Sequence, residues 1–232
     1  MPISRILITS GPTHEPIDAV RFIGNRSSGR MGAVLADAAA GRGDEVVLLL
    51  GPGAAQPADP AVTVIRFRSC ADLQSLLRLH APHADTLIMA AAVADYRPKP
   101  NPLMSGGKFR RTNQPLTLEL EPTPDLLAEV AATRRAGQLF VGFALEPREE
   151  LLASAQRKLT KKRVDVVVAN PLETMDSDSV EAMLVFKDGS RIDTPGLMSK
   201  KAFASWFFDV LPAFQSAGKK TSESTAFAPA AN

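Results

Sequence analysis

The chain has 232 residues, of which 45% are hydrophobic and 22% charged, so it is long enough to bury one sizeable core. Its net charge of +2 is too small to indicate a nucleic-acid surface. Cys70 is the only cysteine, which excludes an intramolecular disulfide framework and a cysteine-rich metal site. No stretch approaches the roughly 20 apolar residues of a membrane span. We therefore expect a protein of the reducing cytoplasm that binds neither membranes nor nucleic acid.

Apolar strands alternate with helical segments along most of the chain. The predicted strands are residues 5–9, 45–50, 62–67, 85–90, 116–120, 139–144 and 164–169. The predicted helices are residues 29–42, 71–80, 123–135, 149–163 and 199–211. Because the strands are almost continuously apolar, we expect an α/β fold with a Rossmann-like, mostly parallel sheet and helices on both of its faces. Asp188-Gly189, between two short apolar runs, predicts an added small β-hairpin.

Residues 1–215 are expected to form a single nucleotide-binding domain. Residues 216–232 are small, polar and aperiodic, which predicts a disordered tail. Residues 98–115 combine proline, glycine and basic residues without periodicity. Long segments of this kind inside a domain are usually functional, so we interpret this one as a mobile flap that brings Lys108 over a phosphate group. A solvated basic loop is the alternative.

The most informative stretch is the connection GPTHEPIDAVRFIGNRSSGRMG, residues 11–32, between the first strand and the first helix. It is far longer than the roughly 2–6 residues that such a connection needs. It contains neither a P-loop nor a G-x-G-x-x-G dinucleotide motif. A glycine- and serine-containing connection that enters a helix can present backbone N–H groups to phosphate, although it can also be a plain surface loop. The residues assigned to a phosphate-binding loop are Gly11, Ser27, Ser28 and Gly29.

Other polar and aromatic residues are candidates for a binding site, each with a structural alternative. The Asn25 amide could stabilise an oxyanion, or it could simply occupy a turn. Asp95 follows a buried strand and could bind a ribose hydroxyl or a metal–phosphate group, or be an ordinary turn residue. Phe143 could stack on a base or belong to the core. Lys158 and Lys162 share a helix face, which could contact phosphate or only solvent.

Six segments recur in the order found in phosphopantothenoylcysteine synthetases, also called phosphopantothenate–cysteine ligases, and the chain resembles that family over nearly its whole length. The segments are GPTHEPIDAVRFIGNRSSGRMG (11–32), AAVADYR (91–97), GKFRR (107–111), PTPDLL (122–127), VGFALE (141–146) and AQRKLTKKRVDVVVAN (155–170). The resemblance implies that 4'-phosphopantothenate attacks CTP, with Mg²⁺, to form an acyl-cytidylate and pyrophosphate. L-Cysteine then displaces CMP in a step of coenzyme A biosynthesis.

The resemblance also implies roles for individual residues. Asn25 would act on the acyl-nucleotide and Lys108 would be the flap lysine, and both are assigned as catalytic. The implied nucleotide-binding residues are Ala91, Asp95, Lys108, Pro124, Asp125, Leu126, Leu127, Phe143, Lys158 and Lys162. No metal ligand is implied. Residues 174–183 lack the family's usual pattern, so a site role for that segment is in doubt.

The resemblance favours a homodimer whose product passes to a separate decarboxylase. In many bacteria a flavin-dependent decarboxylase precedes this unit in one chain, whereas the present sequence begins at the synthetase strand and is similar to a stand-alone form. Two other functions stay open from the residues, an NAD(P)-binding Rossmann-type oxidoreductase and a non-catalytic nucleotide-binding module. The residues alone do not rank CTP against ATP.

Overall fold

The computed structural model describes residues 4–100, 107–111, 113–175 and 177–223. Within these ranges the strands are β1 (Arg5–Ser10), β2 (His14–Pro16), β3 (Phe22–Gly24), β4 (Glu45–Leu50), β5 (Thr63–Arg66), β6 (Thr86–Met89), β7 (Tyr96–Pro98), β8 (Leu120–Pro122), β9 (Leu139–Glu146), β10 (Val166–Pro171), β11 (Ser179–Val180), β12 (Met183–Phe186), β13 (Arg191–Asp193) and β14 (Met198–Ser199). The α-helices are α1 (Arg30–Gly41), α2 (Cys70–His80), α3 (Leu126–Ala132), α4 (Leu151–Lys162) and α5 (Lys200–Glu223).

The main sheet of the described residues has eight strands in the order β13-β12-β10-β9-β6-β1-β4-β5. The strands from β10 to β5 are parallel, and β12 and β13 form an antiparallel hairpin at the β10 edge. The predicted Rossmann-like sheet and the hairpin at Asp188-Gly189 are therefore confirmed. The strand order reverses between β1 and β6. At such a reversal the connections diverge, and a crevice opens beyond the carboxyl ends of the strands.

Helices cover both faces of this sheet, as the continuous apolar strands predicted. On one face α1 and α5 pack on the sheet through buried side chains such as Leu35 and Phe203. On the other face α2, α3 and α4 contribute Leu73, Leu126 and Leu159 to a second buried cluster. No helix in the described part of the chain is both long and apolar enough to cross a membrane.

The structure differs from the predicted elements in three places. The first long connection contains the hairpin β2–β3, and the strand predicted at 116–120 lies instead at β8, where it pairs with β7.

Helix α5 continues to Glu223, past the point where disorder was predicted to begin. Residues 216–223 contain alanine, lysine and glutamate, which extend an existing helix without a new nucleation cost. Residues 101–106 and 112 of the predicted flap, and residues 224–232 of the predicted tail, lie outside the described residues.

The beginning of α1 lies very close to the end of β1. Gly29 caps the helix in a left-handed conformation with φ of 70°, and its carbonyl accepts a hydrogen bond of 2.9 Å from Ser10 Oγ. A Cβ atom on Gly32 would overlap the side chain of Ser10. Glycine at position 32 therefore permits the close approach that holds the helix N-terminus over the end of β1.

We expect Gly32→Ala to destabilise the fold by about 1–3 kcal/mol, because the added methyl group must push α1 away from β1. Gly41→Ala, near the other end of the same helix, is the matched control, since a Cβ there meets nothing within 4 Å. That control should be neutral or more stable by up to about 1 kcal/mol. Chemical denaturation of both variants provides the measurement, and equal stabilities would contradict the close approach.

Candidate functional site

A cleft of about 660 Å³ opens at the carboxyl edge of the parallel sheet, where the strand order reverses. Its walls come from the first long connection, the segment after β6, the end of β9, the middle of α4 and the segment after β10. The lining residues are 24–32, 90–93, Phe143, Leu145, Lys158, Asn170, Thr174, Met175, Val180 and Lys200. A second cavity of about 420 Å³ lies between α2 and α3, and of the predicted site residues it includes Leu126.

The N-terminus of α1 forms one wall of the cleft. Ser27, Ser28 and Gly29 lead into it, and no side chain caps this end of the helix. The carbonyl of Ser28 accepts a hydrogen bond of 2.9 Å from the N–H of Ala55, in the loop after β4. The first N–H groups of a helix carry partial positive charge and bind anions. This arrangement fits the predicted phosphate-binding loop, although Gly11 is buried behind it, where a left-handed φ of 83° shapes the connection.

Asn25 is held at the cleft by a contact across the sheet edge. Its Nδ2 donates a hydrogen bond of 3.1 Å to the carbonyl of Ala92, which also accepts one of 3.2 Å from the N–H of Thr13. The N–H of Ala92 in turn donates to the carbonyl of Gly11 at 2.9 Å. The amide of Asn25 is thus oriented by the segment after β6, and the side chain is exposed towards the cleft.

Lys158 brings a cation to the opposite wall. Its Nζ donates a hydrogen bond of 2.6 Å to the carbonyl of Phe143, in the middle of β9. Burial lowers the pKa of Lys158, and the nearby carboxylates of Glu146, Asp125 and Asp95 act in the opposite direction. A half-buried ammonium group that donates to a carbonyl differs from the solvated helix face considered above. An anion in the cleft would compensate its charge.

Lys162 lies one helical turn beyond Lys158 and forms an ion pair with Asp125. Asp125 caps α3, because its Oδ1 accepts a hydrogen bond of 3.2 Å from the N–H of Ala128. The predicted position of Asp125 at the start of this helix is therefore confirmed, although the helix begins at Leu126 rather than at residue 123. Lys162 does not line the cleft in the structure, and it connects α4 to the first turn of α3.

Besides Gly11, Asp125 and Lys162, five predicted residues are absent from the cleft lining, namely Asp95, Lys108, Pro124, Leu126 and Leu127. Lys108 and Asp95 are exposed, and Asp95 follows the segment that closes the cleft beyond β6. Leu126 is buried among core side chains and faces the cavity between α2 and α3, so its side chain points away from the cleft. Leu127 packs over Gly142 of β9, beside the stem of Lys158. The structure thus brings Asn25 and Lys158 together, but places Lys108 outside the cleft.

Sequence reasoning missed the wall that follows β10. Asn170 is the penultimate residue of that strand, and its Nδ2 donates a hydrogen bond of 2.7 Å to Thr174 Oγ1. Thr174, Met175 and Val180 line the cleft although residues 174–183 depart from the family pattern. A signal was present in the sequence, because Asn170-Pro171 follows an apolar strand that must end at the same edge as β1.

The described residues contain no group of three or more histidine, cysteine, aspartate or glutamate side chains placed to hold a metal ion. Mg²⁺ usually keeps several waters and is held by one or two carboxylates together with substrate phosphates. The carboxylates of Asp95 and Asp125 act on the pKa of Lys158, and carboxylate oxygens are ligands that Mg²⁺ prefers. This donor set fits an ion that arrives with a nucleotide.

Comparison with known proteins gives matches over most of the chain. A family model described as the DNA/pantothenate metabolism flavoprotein C-terminal domain matches residues 2–213. The coenzyme A biosynthesis bifunctional protein CoaBC of Mycobacterium tuberculosis is 39% identical over 198 residues, which cover 80% of this chain and 47% of that protein. A protein named cysteine/cysteine sulfinic acid decarboxylase, from an unidentified prokaryote, is 44% identical over 169 residues, which cover 73% of this chain and 46% of that protein.

A similar architecture occurs in the crystal structure of the C-terminal domain of a CoaBC protein, which is 35% identical with a TM-score of 0.75. That match covers 94% of this chain and 96% of the other. The chain spans about half the length of the curated relatives that it matches.

We expect Lys158→Gln to weaken the binding of CTP by roughly 10- to 150-fold, the loss of a charge-assisted hydrogen bond worth about 1.5–3 kcal/mol. Lys162→Gln should have a smaller effect, because Asp125 already compensates the charge of Lys162. Lys161→Gln, exposed on the same helical turn, is the control that should bind normally. Calorimetric titration measures the affinities. Wild-type affinity in both Lys158→Gln and Lys162→Gln would indicate that these lysines do not contact the nucleotide.

Proposed function

Because the chain belongs to the family of the DNA/pantothenate metabolism flavoprotein C-terminal domain, we propose that it is a phosphopantothenate–cysteine ligase of coenzyme A biosynthesis. The observation that supports this proposal most directly is the cleft, which is lined by an uncapped helix N-terminus, by Asn25 and by Lys158. The coenzyme A biosynthesis relatives support it. The decarboxylase named for another relative belongs to a whole protein of which this chain matches 46%.

In the first step the carboxylate of 4'-phosphopantothenate attacks the α-phosphorus of CTP, and pyrophosphate leaves. Two anions must approach each other, so the site has to offset their repulsion. The N-terminus of α1 supplies partial positive charge on one wall and Lys158 supplies a full charge on the other. We assign Lys108 as a further cation on the bound triphosphate. Asp95 is the carboxylate that would hold Mg²⁺ together with the bound triphosphate, and the ion would supply further positive charge there.

In the second step the amine of L-cysteine attacks the carbonyl carbon of the acyl-cytidylate. The carbonyl oxygen gains negative charge, CMP leaves and the amine loses a proton. A neutral amide is suited to this oxygen because it donates without changing its protonation state. One N–H of Asn25 is held by Ala92, which fixes the plane of the amide. The second N–H is the donor that we assign to the developing oxyanion.

We assign Phe143 and Leu127 to the nucleotide base, because the carbonyl of Phe143 accepts from Lys158 and Leu127 packs over the neighbouring Gly142. An aromatic face can stack on a pyrimidine, and the backbone around Pro124 can supply hydrogen bonds to its edge. We infer selection of CTP from these contacts together with the family resemblance. The cytoplasm, where the single thiol Cys70 stays reduced, is the compartment that we propose.

We also propose that the protein is a homodimer. Large apolar side chains are exposed on the small sheets β2–β3 and β7–β8, which contact each other through β2 and β7. These residues are Val20, Phe22, Tyr96, Leu116 and Leu120, each between 44% and 59% exposed. Exposed large apolar side chains on two contacting hairpins are typical of a protein–protein interface, and a second copy of the chain is the partner that we propose for this patch. The patch lies on the hairpin that leads to Asn25.

Purified protein should release pyrophosphate from CTP, with Mg²⁺, only when 4'-phosphopantothenate is present. ATP should be a poorer substrate and NADPH should not bind. In Asn25→Asp the pyrophosphate should still appear, but the amide product should form roughly 10²- to 10³-fold more slowly, because an oxyanion donor is lost. Mass spectrometry of the trapped acyl-cytidylate distinguishes the two steps. Wild-type amide formation in that variant would contradict the role of Asn25, and pyrophosphate release without phosphopantothenate would contradict the ligase.

Leu120→Asp should raise the dissociation constant of the dimer by roughly 10-fold or more, because a charge would be buried at the apolar interface. Leu79→Asp is the matched control, since Leu79 is 60% exposed on α2, outside the patch. Sedimentation at several concentrations gives both constants. A wild-type protein that is monomeric throughout would refute the dimer.

A further inference from the structure

The tip of the β2–β3 hairpin carries a carboxylate that the proposed chemistry does not use. The side chain of Asp18 is completely buried. Its Oδ1 accepts hydrogen bonds from the N–H groups of Val20, at 2.9 Å, and Arg21, at 2.8 Å. Its Oδ2 accepts from the guanidinium group of Arg21 and, at 3.0 Å, from the N–H of Phe109. Both oxygens are therefore surrounded by donors, one of which lies 91 residues away in the chain.

Further contacts hold the same distant segment on the hairpin. An Nη of Arg21 donates a hydrogen bond of 2.9 Å to the carbonyl of Phe109, and the guanidinium carbon lies 5.8 Å from the centre of the Phe109 ring. The N–H of Ala19 donates to the carbonyl of Gly107 at 3.4 Å. Gly107 and Phe109 are the two neighbours of Lys108. The backbone is thus held on both sides of that lysine while its side chain stays exposed.

The same hairpin leads to the cleft. Strand β3 ends at Gly24, immediately before Asn25, and spans roughly 10 Å at the usual rise of a strand. The tip that holds residues 107–111 and the base that holds Asn25 therefore belong to one short, paired unit. Hydrogen bonding to Arg21 and to backbone N–H groups keeps the pKa of Asp18 well below its usual value, so the carboxylate is ionised at neutral pH.

We propose that Asp18 is a positioning residue, which docks residues 107–111 on the hairpin and thereby sets the place of Lys108 relative to Asn25 and the bound nucleotide. This inference rests on the role proposed for Lys108 in the ligase. Asparagine has the same shape as aspartate, but one of its polar atoms is a donor. In Asp18→Asn that donor must face either Arg21 or backbone N–H groups, so the contact with residues 107–111 is weakened.

Hydrogen exchange of the ligand-free protein tests the docking. In Asp18→Asn the amides of residues 107–111 should exchange roughly 10-fold faster or more, the equivalent of one charge-assisted hydrogen bond. Glu121→Gln, which removes the ion pair with Arg97 on the neighbouring hairpin, is the control and should leave this exchange unchanged. Unchanged exchange in Asp18→Asn would overturn the proposal.

A double-mutant cycle tests the positioning. Asp18→Asn should lower kcat for ligation by roughly 10- to 100-fold in the wild-type background, and by less than about 2-fold in Lys108→Gln, because both changes then remove the same function. An equal loss in the two backgrounds would show that Asp18 acts by another route, such as overall stability, and would overturn the proposal.

A further variant and two activity measurements distinguish the docking, the positioning role and the proposed function from one another. Phe109→Pro deletes the N–H that Asp18 accepts and leaves the hairpin intact, so it should release residues 107–111 even if Asp18→Asn folds poorly. Unchanged exchange there would also overturn the docking. Wild-type turnover in Lys108→Gln would refute the positioning role. Absence of ligase activity in the wild-type protein would instead refute the proposed function, while the exchange measurements would still decide whether Asp18 docks the segment.

Discussion

The contact between Gly32 and Ser10 is the constraint on which the candidate site depends. Helix α1 can present its first N–H groups to the cleft because it begins directly over the end of β1, and a side chain at position 32 would overlap Ser10. Ser10 reinforces this placement by donating to the carbonyl of Gly29. The loop after β4 then closes on the same turn, through the hydrogen bond from Ala55 to Ser28. The parallel pairing of β1 with β4 is what brings that loop within reach.

The length of the first connection is explained by a hairpin that is anchored through buried carboxylates. Glu15 in β2 is 2% exposed and accepts a hydrogen bond of 2.8 Å from the N–H of Cys70, at the first turn of α2. A buried carboxylate is costly unless donors surround it, and a helix N-terminus offers such donors. Burial, with the charge of Glu15, raises the pKa of the Cys70 thiol to about 11, so this cysteine stays protonated and unreactive. Because the hairpin is anchored at Glu15, the backbone that leads to Asn25 is held in place.

Much of the fold was predictable because it rests on local patterns. The residues of β4 were predicted to the residue, and the hairpin at Asp188-Gly189 follows from its turn chemistry. The hairpin β2–β3 and the strand β7 were missed, since each has three residues and is stabilised by pairing with a segment that the sequence does not identify. Strands this short have too few positions to display alternation.

The site was predictable where a motif and a strand end coincide, and less so where tertiary contacts decide. Asn25 and Lys158, both named from the sequence, line one cleft in the structure, and their roles stay predictions. The orientation of Leu126 towards the core could not be read from the sequence, because a helix of seven residues does not reveal which face is buried. The docking of Phe109 on Asp18 depends on two loops that are far apart in sequence, and no local pattern signals it.

The two lysines of α4 illustrate how burial separates residues that look equivalent in sequence. Lys162 is matched by the carboxylate of Asp125, so its charge is already compensated and its contact supports the start of α3. Lys158 donates to a carbonyl instead, which compensates an ammonium group only in part, and burial lowers its pKa. A multiply charged anion in the cleft would therefore gain more from Lys158 than from Lys162, because the electrostatic benefit is largest where a desolvated charge lacks a counter-ion. The ion pair of Lys162 in turn keeps α3 and α4 together, and so supports the position of Lys158 at Phe143 of β9.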